Sequence, residues 1–322
     1  MENYSINSDI LEIQGLDIPE SSIYPVFFAV LFFYITLLIS NFGVLILIIT
    51  EKSLHQPMYL LFCNLSVNDL FGNTVLLPRL LSDMFASKKL TTYAQCATQA
   101  FCSHIFGSAS HMILIIMAID RYVAICNPLR YTAIMTTKTI VKLSVSAWGV
   151  SIVLVAILLG LTIRLSRCRY IILNAYCDNA SLFKLSCEDV YINNLYGLVF
   201  TAVLFGSSIG CIVVTYLRIA MIFWTKKSKV LNNRALQTCG SHLLVFMIMI
   251  MTGFLTIILH RFPDYPYLRK LAYIFFHVVP ANLNPIIYQN QNQKGFYCQV
   301  GFHLRGILCG TMVQTINIHN KQ

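Results

Sequence analysis

The sequence has very few charged residues. Only 11% of its 322 residues are Asp, Glu, Lys or Arg, and 57% are hydrophobic, whereas soluble domains carry roughly 25% charged residues. A soluble fold of this length could not bury so much apolar surface, so a water-soluble protein is excluded. Residues 1–20 contain no Lys or Arg. This start lacks the basic region of a cleavable signal peptide, which predicts that the first hydrophobic span acts as its own uncleaved signal.

Long uncharged runs alternate with short charged segments. Each run exceeds the roughly 20 residues that a helix needs to cross the hydrocarbon core. Six runs contain no charge at all: Ser21–Thr50, Leu90–Ile119, Leu143–Ile163, Val190–Leu217, Ala235–His260 and Leu271–Gln293. A seventh, Ser53–Pro78, contains the single charge of Asp69. The pattern predicts an all-α membrane protein built as a bundle of seven transmembrane helices.

The basic residues favour one orientation of this bundle. With the N-terminus outside, 13 of the 23 Lys and Arg residues are cytoplasmic and 10 are extracellular, a weak bias in the direction of the positive-inside rule. The base-free flank of the first span supports the same orientation. The net charge of +10 then belongs to the cytoplasmic face, where it indicates contact with anionic lipid and a soluble protein partner, not with nucleic acid.

This orientation divides the chain into three parts. We predict an extracellular tail (1–22), a seven-transmembrane domain (23–288) and a cytoplasmic tail (289–322) whose sequence allows a short amphipathic helix. The predicted location is the plasma membrane, crossed several times.

The cysteines and one sequon fit this topology. Four cysteines lie at predicted extracellular positions, where disulfides form: Cys96, Cys168, Cys177 and Cys187. Four cysteines allow three pairings, and spacing does not choose among them. The lack of a CxxC spacing argues against zinc, and neither a metal nor another cofactor is predicted. Asn3, in Asn3-Tyr4-Ser5, is the predicted glycosylation site.

The most specific motif ends the third span. Met117–Tyr131 reads MAIDRYVAICNPLRY and places Asp120 beside Arg121. A charge pair that closes a membrane helix belongs at the water boundary, where charge is less unfavourable. The segment resembles the third-helix signature of olfactory receptors, a branch of the rhodopsin-like G-protein-coupled receptors. Three further stretches resemble the family in the same order: LHQPMY (Leu54–Tyr59), RALQTCGSHL (Arg234–Leu243) and PANLNPIIY (Pro280–Tyr288).

The resemblance implies disulfides and a polar centre. It implies the pairs Cys96–Cys177 and Cys168–Cys187. Asp69 is the one acid deep in a span and needs polar neighbours, which the family pattern supplies as Asn41, Ser110 and Asn284. In related receptors this cluster holds water or sodium; a purely structural hydrogen-bond network is the alternative. Many olfactory receptors have glutamate where this chain has Ser110, which argues against a bound cation here.

The resemblance also implies a switch at the cytoplasmic ends of the helices. The residues with implied roles in activation and G-protein coupling are Asp120, Arg121, Tyr122, Tyr216, His242, Asn284, Pro285 and Tyr288. Asp120 and Glu51 are the only acids on this face, so Asp120 is the predicted partner of Arg121. Packing and Tyr216, His242 and Tyr288 are then expected to hold the inactive state. Pro285 removes a backbone hydrogen bond and is expected to let the seventh helix bend near Asn284.

The outer half of the bundle is predicted to bind a small odorant. Position and helical spacing select His104, Ser108, His111, Met251, Phe254, Leu255, Ile258, Arg261, Tyr273 and His277. His104 is the first choice, because a histidine at this depth needs a polar partner or a ligand. His260-Arg261-Phe262 resembles the H-R-F of the fish-like class I receptors, and an inward guanidinium would bind a carboxylate. An arginine that extends to the lipid interface is the alternative.

Two other functions fit the sequence less well than an odorant receptor. A retinal-binding photoreceptor needs a lysine in the seventh span, and Leu271–Gln293 has none. A transporter is expected to carry several charges within the membrane, and only Asp69 is present. A receptor of the same family that serves outside the olfactory epithelium remains an alternative. The predicted partners are an odorant, a stimulatory olfactory-type heterotrimeric G protein, membrane lipid and receptor-trafficking chaperones. No enzymatic activity is predicted.

Overall fold

A computed structural model describes residues 9–16, 18–225, 229–262 and 265–291 of the chain. Within these ranges, the side chains at 53, 225, 229–238, 260–261 and 288–291 are outside the description.

Seven long helices make up most of the described chain, and we number them 1 to 7. Their bounds are Glu20–Thr50, Pro57–Phe85, Tyr93–Cys126, Thr137–Ile163, Tyr191–Thr225, Lys229–Arg261 and Pro266–Gln291. Helices 1 to 6 each contain a stretch long and apolar enough to cross a membrane. Helix 7 is of similar length but less apolar, because it contains Arg269 and Lys270 near its start and Asn282 and Asn284 near its end.

Helix 3 lies at the centre of the bundle. In its most apolar stretch 67% of the residues are buried, compared with 22% in helix 1 and in helix 5. The helix begins with a capping box, in which the hydroxyl of Thr92 accepts from the backbone N–H of Gln95 and the Gln95 side chain accepts from the N–H of Thr92. This cap satisfies backbone donors that would otherwise be unpaired. Because helix 3 is so largely buried, its residues reach the interior along the whole length of the bundle.

The two ends of the bundle differ, and we name them by their residues. The outer end contains Cys96 and Cys177, and the inner end contains Asp120 and Arg121. A three-stranded sheet covers part of the outer end: β1 (Ile10–Ile13) lies between β2 (Leu90–Thr92) and β3 (Ile171–Ile172). β1 is antiparallel to β2 and parallel to β3. Within the predicted tail 1–22, residues 10–13 form β1 and residues 20–22 begin helix 1.

Short helices connect the long ones. A turn of helix at Tyr131–Ile134 follows helix 3 at the inner end, and another at Asn179–Phe183 follows Cys177 in the loop between helices 4 and 5. Two 3₁₀ turns occupy Lys52–Leu54 and Pro128–Arg130. The loop between helices 4 and 5, which we call the outer loop, packs Leu182 and Leu185 with Leu11 of β1 in one buried cluster.

Candidate functional site

A cavity of about 130 Å³ lies between helices 3, 5, 6 and 7 near the outer end. Five of its lining residues are ones that the sequence selects: His104, Ser108, His111, Tyr273 and His277. Helical spacing therefore identifies the inward faces of helices 3 and 7. In both helices the polar residues mark that face, because polar groups avoid contact with lipid.

Helix 6 differs from the prediction. Met251, Phe254, Leu255 and Ile258 are 39–63% exposed on the outside of the bundle and do not line the cavity. Helix 6 instead presents Gly253, Thr256 and Ile257 to the cavity. Neighbouring residues point about 100° apart in a helix, so the prediction selected the adjacent face. Lipid is as apolar as a protein core, so hydrophobic residues do not distinguish the two, whereas small residues mark helix contacts.

Helix 5 supplies a wall that sequence reasoning missed. Phe200, Thr201, Leu204 and Phe205 line the cavity, and the ring of Phe205 packs against His111 with centroids 4.7 Å apart. The remaining unpredicted lining residues are Ser103, Gly107 and Phe276. Helix 5 is apolar on most of its surface, so its sequence gives little indication of which face points inward. The residue that could have indicated this face is Ser208, which is fully buried.

The histidines of the cavity have different partners. His104 Nε2 accepts from the backbone N–H of Asn179, 3.3 Å away in the outer loop. Nδ1 of His111 lies 3.1 Å from Oγ of Ser208, and Nδ1 of His277 lies 3.0 Å from the backbone oxygen of Tyr273. His104 therefore ties helix 3 to the outer loop, while the other two histidines are anchored to the bundle itself.

The outer loop closes the top of the cavity. Both disulfides implied by the resemblance are present, Cys96–Cys177 and Cys168–Cys187. The ring of Tyr176 stacks on Tyr273, with centroids 3.5 Å apart. Burial raises the pKa of Tyr176 well above its ordinary value, so its hydroxyl stays protonated.

Helix 7 holds the same loop by polar contacts. Arg269 donates from Nε to Oδ1 of Asn174 at 3.0 Å and from Nη2 to the backbone oxygen of Leu173 at 2.9 Å. Asn174 in turn donates to Ser181 at 2.7 Å. Arg269 is 7% exposed, so this contact is shielded from solvent. The loop is thus fastened to helix 3 by a disulfide and to helix 7 by a guanidinium.

The polar centre of the bundle is built differently from the prediction. Asp69 accepts from Asn284 at 2.8 Å, as expected. Ser110, however, accepts from Asn68 at 2.7 Å, and Asn41 donates to the backbone oxygens of Leu37 and Ala281, both at 3.0 Å. Helix 2 presents Asn68, not Asp69, to helix 3, because adjacent residues point in different directions. Asn73 adds an unpredicted link by donating to the backbone oxygen of His277 at 3.1 Å.

Asp120 and Arg121 form an ion pair at the inner end. Asp120 is fully buried, and its second oxygen accepts from the hydroxyl of Tyr131 at 2.9 Å. Burial, and then the charge of Asp120, raise the pKa of Tyr131 above its ordinary value, so the phenol remains a donor. The predicted pairing is present, and Tyr131, which the motif contains but the prediction did not select, completes it.

A second inner contact joins helices 3, 5 and 6. The hydroxyl of Tyr216 lies 2.8 Å from Nδ1 of His242, and Nε2 of His242 lies 3.1 Å from the backbone oxygen of Leu114. Since a carbonyl only accepts, Nε2 carries the hydrogen and Nδ1 is an acceptor. The hydroxyl of Tyr216 lies within reach of this nitrogen and of the backbone oxygen of Cys239, 3.2 Å away. His242 thus bridges two helices.

The other selected residues are distributed as follows. Tyr122 packs half-buried against the inner core, and Pro285 is buried within helix 7. The side chains of Arg261 and Tyr288 lie outside the described part of the structure, as does Asn3 entirely. Within the part described, no group of three or more His, Cys, Asp or Glu residues could hold a metal ion.

Sequence comparison identifies the family of this chain. A family model for "Olfactory receptor" matches residues 29–300. The chain belongs to the olfactory receptor family. Among relatives of this olfactory receptor, Olfactory receptor 1500 of Rattus norvegicus is 35% identical over 288 residues, covering 88% of this chain and 92% of the relative. Olfactory receptor 5B12 of Homo sapiens is 33% identical, covering 91% of this chain and 94% of the relative.

A solved structure supports the fold of this olfactory receptor. The crystal structure of squid rhodopsin superposes with a TM-score of 0.69 over 84% of this chain and 82% of that chain, at 19% sequence identity. The olfactory receptor is therefore a seven-helix, multi-pass protein of the plasma membrane. Membership of this family makes it a receptor for small molecules that acts through heterotrimeric G proteins, and not an enzyme.

Proposed function

We propose that the cavity is the odorant site and that the inner end engages a stimulatory, olfactory-type G protein. The observation that carries the proposal is the position of the cavity. It is lined by polar groups such as His111 and His277, lies beneath the outer loop, and is at the end of helix 3 opposite the Asp120–Arg121 pair. An odorant that binds one of two helix arrangements more tightly shifts their populations. We expect the contacts made by His242 and Tyr131 at the inner end to change in such a shift.

A cell assay tests this proposal. Cells that express the full-length receptor with the stimulatory olfactory G protein are exposed to alcohols, amines, carboxylic acids and amino acids, and cAMP is measured. We expect at least one compound to raise cAMP, and His104→Ala to change its potency. Solute uptake in the same cells without a cAMP response would favour a transporter. The assay applies equally if the receptor is expressed outside the olfactory epithelium.

The acidic-odorant prediction depends on Arg261. If Arg261 faces the ligand, Arg261→Ala should abolish responses to carboxylic acids and leave surface expression intact. Equal responses of both proteins would remove the basis for a carboxylate ligand and for the class I assignment. The N-terminus is proposed to be extracellular, so treatment of intact cells with N-glycosidase should remove a glycan that the Asn3→Gln variant lacks.

The wider partners are proposals as well. The basic cytoplasmic face would contact anionic lipid, and trafficking chaperones would assist passage to the surface. The domain limits proposed above, with tails at 1–22 and 289–322, can be mapped by protease treatment of sealed vesicles. Cleavage of the C-terminal tail only after the vesicles are opened supports the orientation.

A further inference from the structure

Two histidines from different helices line the cavity with an unsatisfied nitrogen. His111 from helix 3 and His277 from helix 7 are 1% and 0% exposed. Neither Nε2 atom has a hydrogen-bond partner among the described residues. A buried polar atom without a partner is unfavourable. The donor or acceptor character of these two atoms therefore indicates which chemical group they would receive.

The tautomer of His277 follows from its other nitrogen. Nδ1 lies 3.0 Å from the backbone oxygen of Tyr273, and a carbonyl oxygen can only accept. Nδ1 therefore carries the hydrogen of the neutral ring, and Nε2 presents a lone pair. The ring stacks on Phe106 with centroids 4.8 Å apart, so packing holds it in this orientation.

The tautomer of His111 follows from a chain of two hydrogen bonds. Oγ of Ser208 donates its one hydrogen to the backbone oxygen of Phe205 at 3.0 Å. The same oxygen lies 3.1 Å from Nδ1 of His111 and has only lone pairs left for that contact. With that hydrogen on Phe205, Nδ1 of His111 donates and Nε2 of this ring is an acceptor, as in His277; the other tautomer requires Ser208 to turn its hydrogen away from Phe205 towards Nδ1.

The surroundings are consistent with neutral rings. A buried imidazolium would need a nearby counter-charge, and no Asp or Glu is among the lining residues in the described structure.

Two hydroxyls of the lining have the same polarity as the rings. Ser108 donates to the backbone oxygen of Ile105 at 3.3 Å, and Thr256 donates to that of Thr252 at 2.9 Å. With those hydrogens committed, the two oxygens can offer a ligand only lone pairs. The hydroxyls of Ser103 and Tyr273 also line the cavity and have no hydrogen-bond partner among the described residues, so each can donate to an oxygen of the ligand.

We propose that this cavity selects small ligands with a hydrogen-bond donor, such as an alcohol, a phenol or an amine, which Nε2 of His111 and Nε2 of His277 accept. The inference rests on the proposed function of the cavity as the odorant site. An ether of the same shape has no hydrogen to give and leaves both nitrogens unpaired. An amino acid or a hydroxy acid would satisfy these rings and also carry the carboxylate expected at Arg261.

The size of the cavity selects the test compounds. An apolar cavity of ~150 Å³ accommodates benzene, so the present cavity of about 130 Å³ suits a ligand with about six non-hydrogen atoms. The isomers 1-pentanol and butyl methyl ether have this size and the same formula, but only the alcohol has an O–H group. Their relative potency therefore reports donation and not size.

We expect 1-pentanol to raise cAMP at about a tenfold lower concentration than the ether in cells expressing the full-length receptor. His111→Phe and His277→Phe keep a flat ring and remove the acceptor, so each should bring the ratio of half-maximal concentrations towards one. Ile257→Val is the matched control, because it changes the apolar lining and should shift both isomers equally.

Three results would overturn the inference. Equal potency of the isomers at the unaltered receptor does so without any variant having to fold. A tenfold preference that survives in a surface-expressed double variant, His111→Phe with His277→Phe, removes the assignment to these rings. A receptor that responds to pentanoic acid but to neither isomer contradicts the inference and leaves the proposed function intact, whereas a surface receptor that responds to nothing in the broader panel overturns both.

Discussion

The hydroxyl of Tyr131 donates to Asp120 across 2.9 Å, on the carboxylate that also holds Arg121. Asp120 is one of only two acids on the predicted cytoplasmic face, and Glu51 is the other. Asp120 is therefore the main carboxylate with which Arg121 can pair there. Tyr131 lies beyond the end of helix 3, in the short helix Tyr131–Ile134. The ion pair at the inner end is therefore held by a residue of this short helix as well as by helix 3.

Tyr131→Phe should raise signalling in the absence of odorant. A hydrogen bond to a charged group contributes roughly 1.5–3 kcal/mol, so its loss would increase the ratio of active to resting receptor by about 10- to 150-fold if the bond is made only at rest. The measurement is basal cAMP divided by surface receptor. Tyr191→Phe, which alters an exposed tyrosine at the outer end, is the control and should behave like the unaltered receptor. A lower basal signal would mean that this bond belongs to the active state.

His242→Phe should release helix 6 from helices 3 and 5. The ring bridges Tyr216 and the backbone oxygen of Leu114, so the substitution removes both of these contacts between helices and leaves Tyr216 with the backbone oxygen of Cys239, 3.2 Å away in helix 6. We expect higher basal cAMP and a lower midpoint of thermal unfolding for the purified receptor. Tyr216→Phe removes one of the two contacts and should have a smaller effect.

The same two positions allow a test of their coupling. If Tyr216 and His242 act as a unit, the double variant should change basal cAMP by less than the sum of the single effects, with a coupling of about 0.5–3 kcal/mol. Additive effects would show that the two side chains act separately.

Gly253→Ala should narrow the cavity. A Cβ atom at this position would lie 2.9 Å from Cζ of Phe205 and 3.4 Å from the ring of Phe276, and both rings line the cavity. Overpacking typically costs about 1–3 kcal/mol, so ligands that fill the cavity should lose about tenfold in potency, while smaller ones lose less. Gly206→Ala in helix 5 is the matched control, since a Cβ there meets no atom within 4 Å. An equal loss for ligands of every size would point to general destabilisation.

Arg269→Met should weaken the attachment of the outer loop to helix 7 and leave the residues that line the cavity unchanged. The change removes the hydrogen bonds to Asn174 and Leu173 but keeps an apolar side chain of similar length. We expect weaker odorant potency and a faster decay of the response after washout, because the loop no longer holds the ligand in. Arg169→Met, at an exposed position of the same loop, should change neither. Unchanged decay in the Arg269 variant would show that the disulfide alone retains the loop.

The sequence predicts the spans and the inner motif well, for a physical reason. Charge is strongly unfavourable in hydrocarbon, so the ends of the uncharged runs mark the membrane boundaries, and the polar residues His111 and His277 mark inward faces. Because this free-energy penalty is large, a single charged or polar residue is enough to indicate a membrane boundary or an inward face.

The faces of apolar helices could not be predicted in the same way. Met251 and Leu255 are as compatible with lipid as with a core, so hydrophobicity gave no preference. The weaker signals were Gly253 and Thr256, which are small enough or polar enough to require protein neighbours. The pairing of Ser110 with Asn68 also escaped prediction, because the choice between Asn68 and Asp69 depends on the rotation of helix 2 within the bundle.

The position of β1 has a consequence for biosynthesis. Glu12 in β1 pairs with Leu90 of β2 and with Ile171 of β3, so the strand that is made first is completed by one that is made much later. Pairing between distant parts of a chain forms slowly, and an unpaired strand edge favours aggregation. The nascent receptor therefore passes through a period in which β1 has one edge open, and a substitution that prolongs this period would reduce the yield of receptor at the surface without changing its affinity for an odorant.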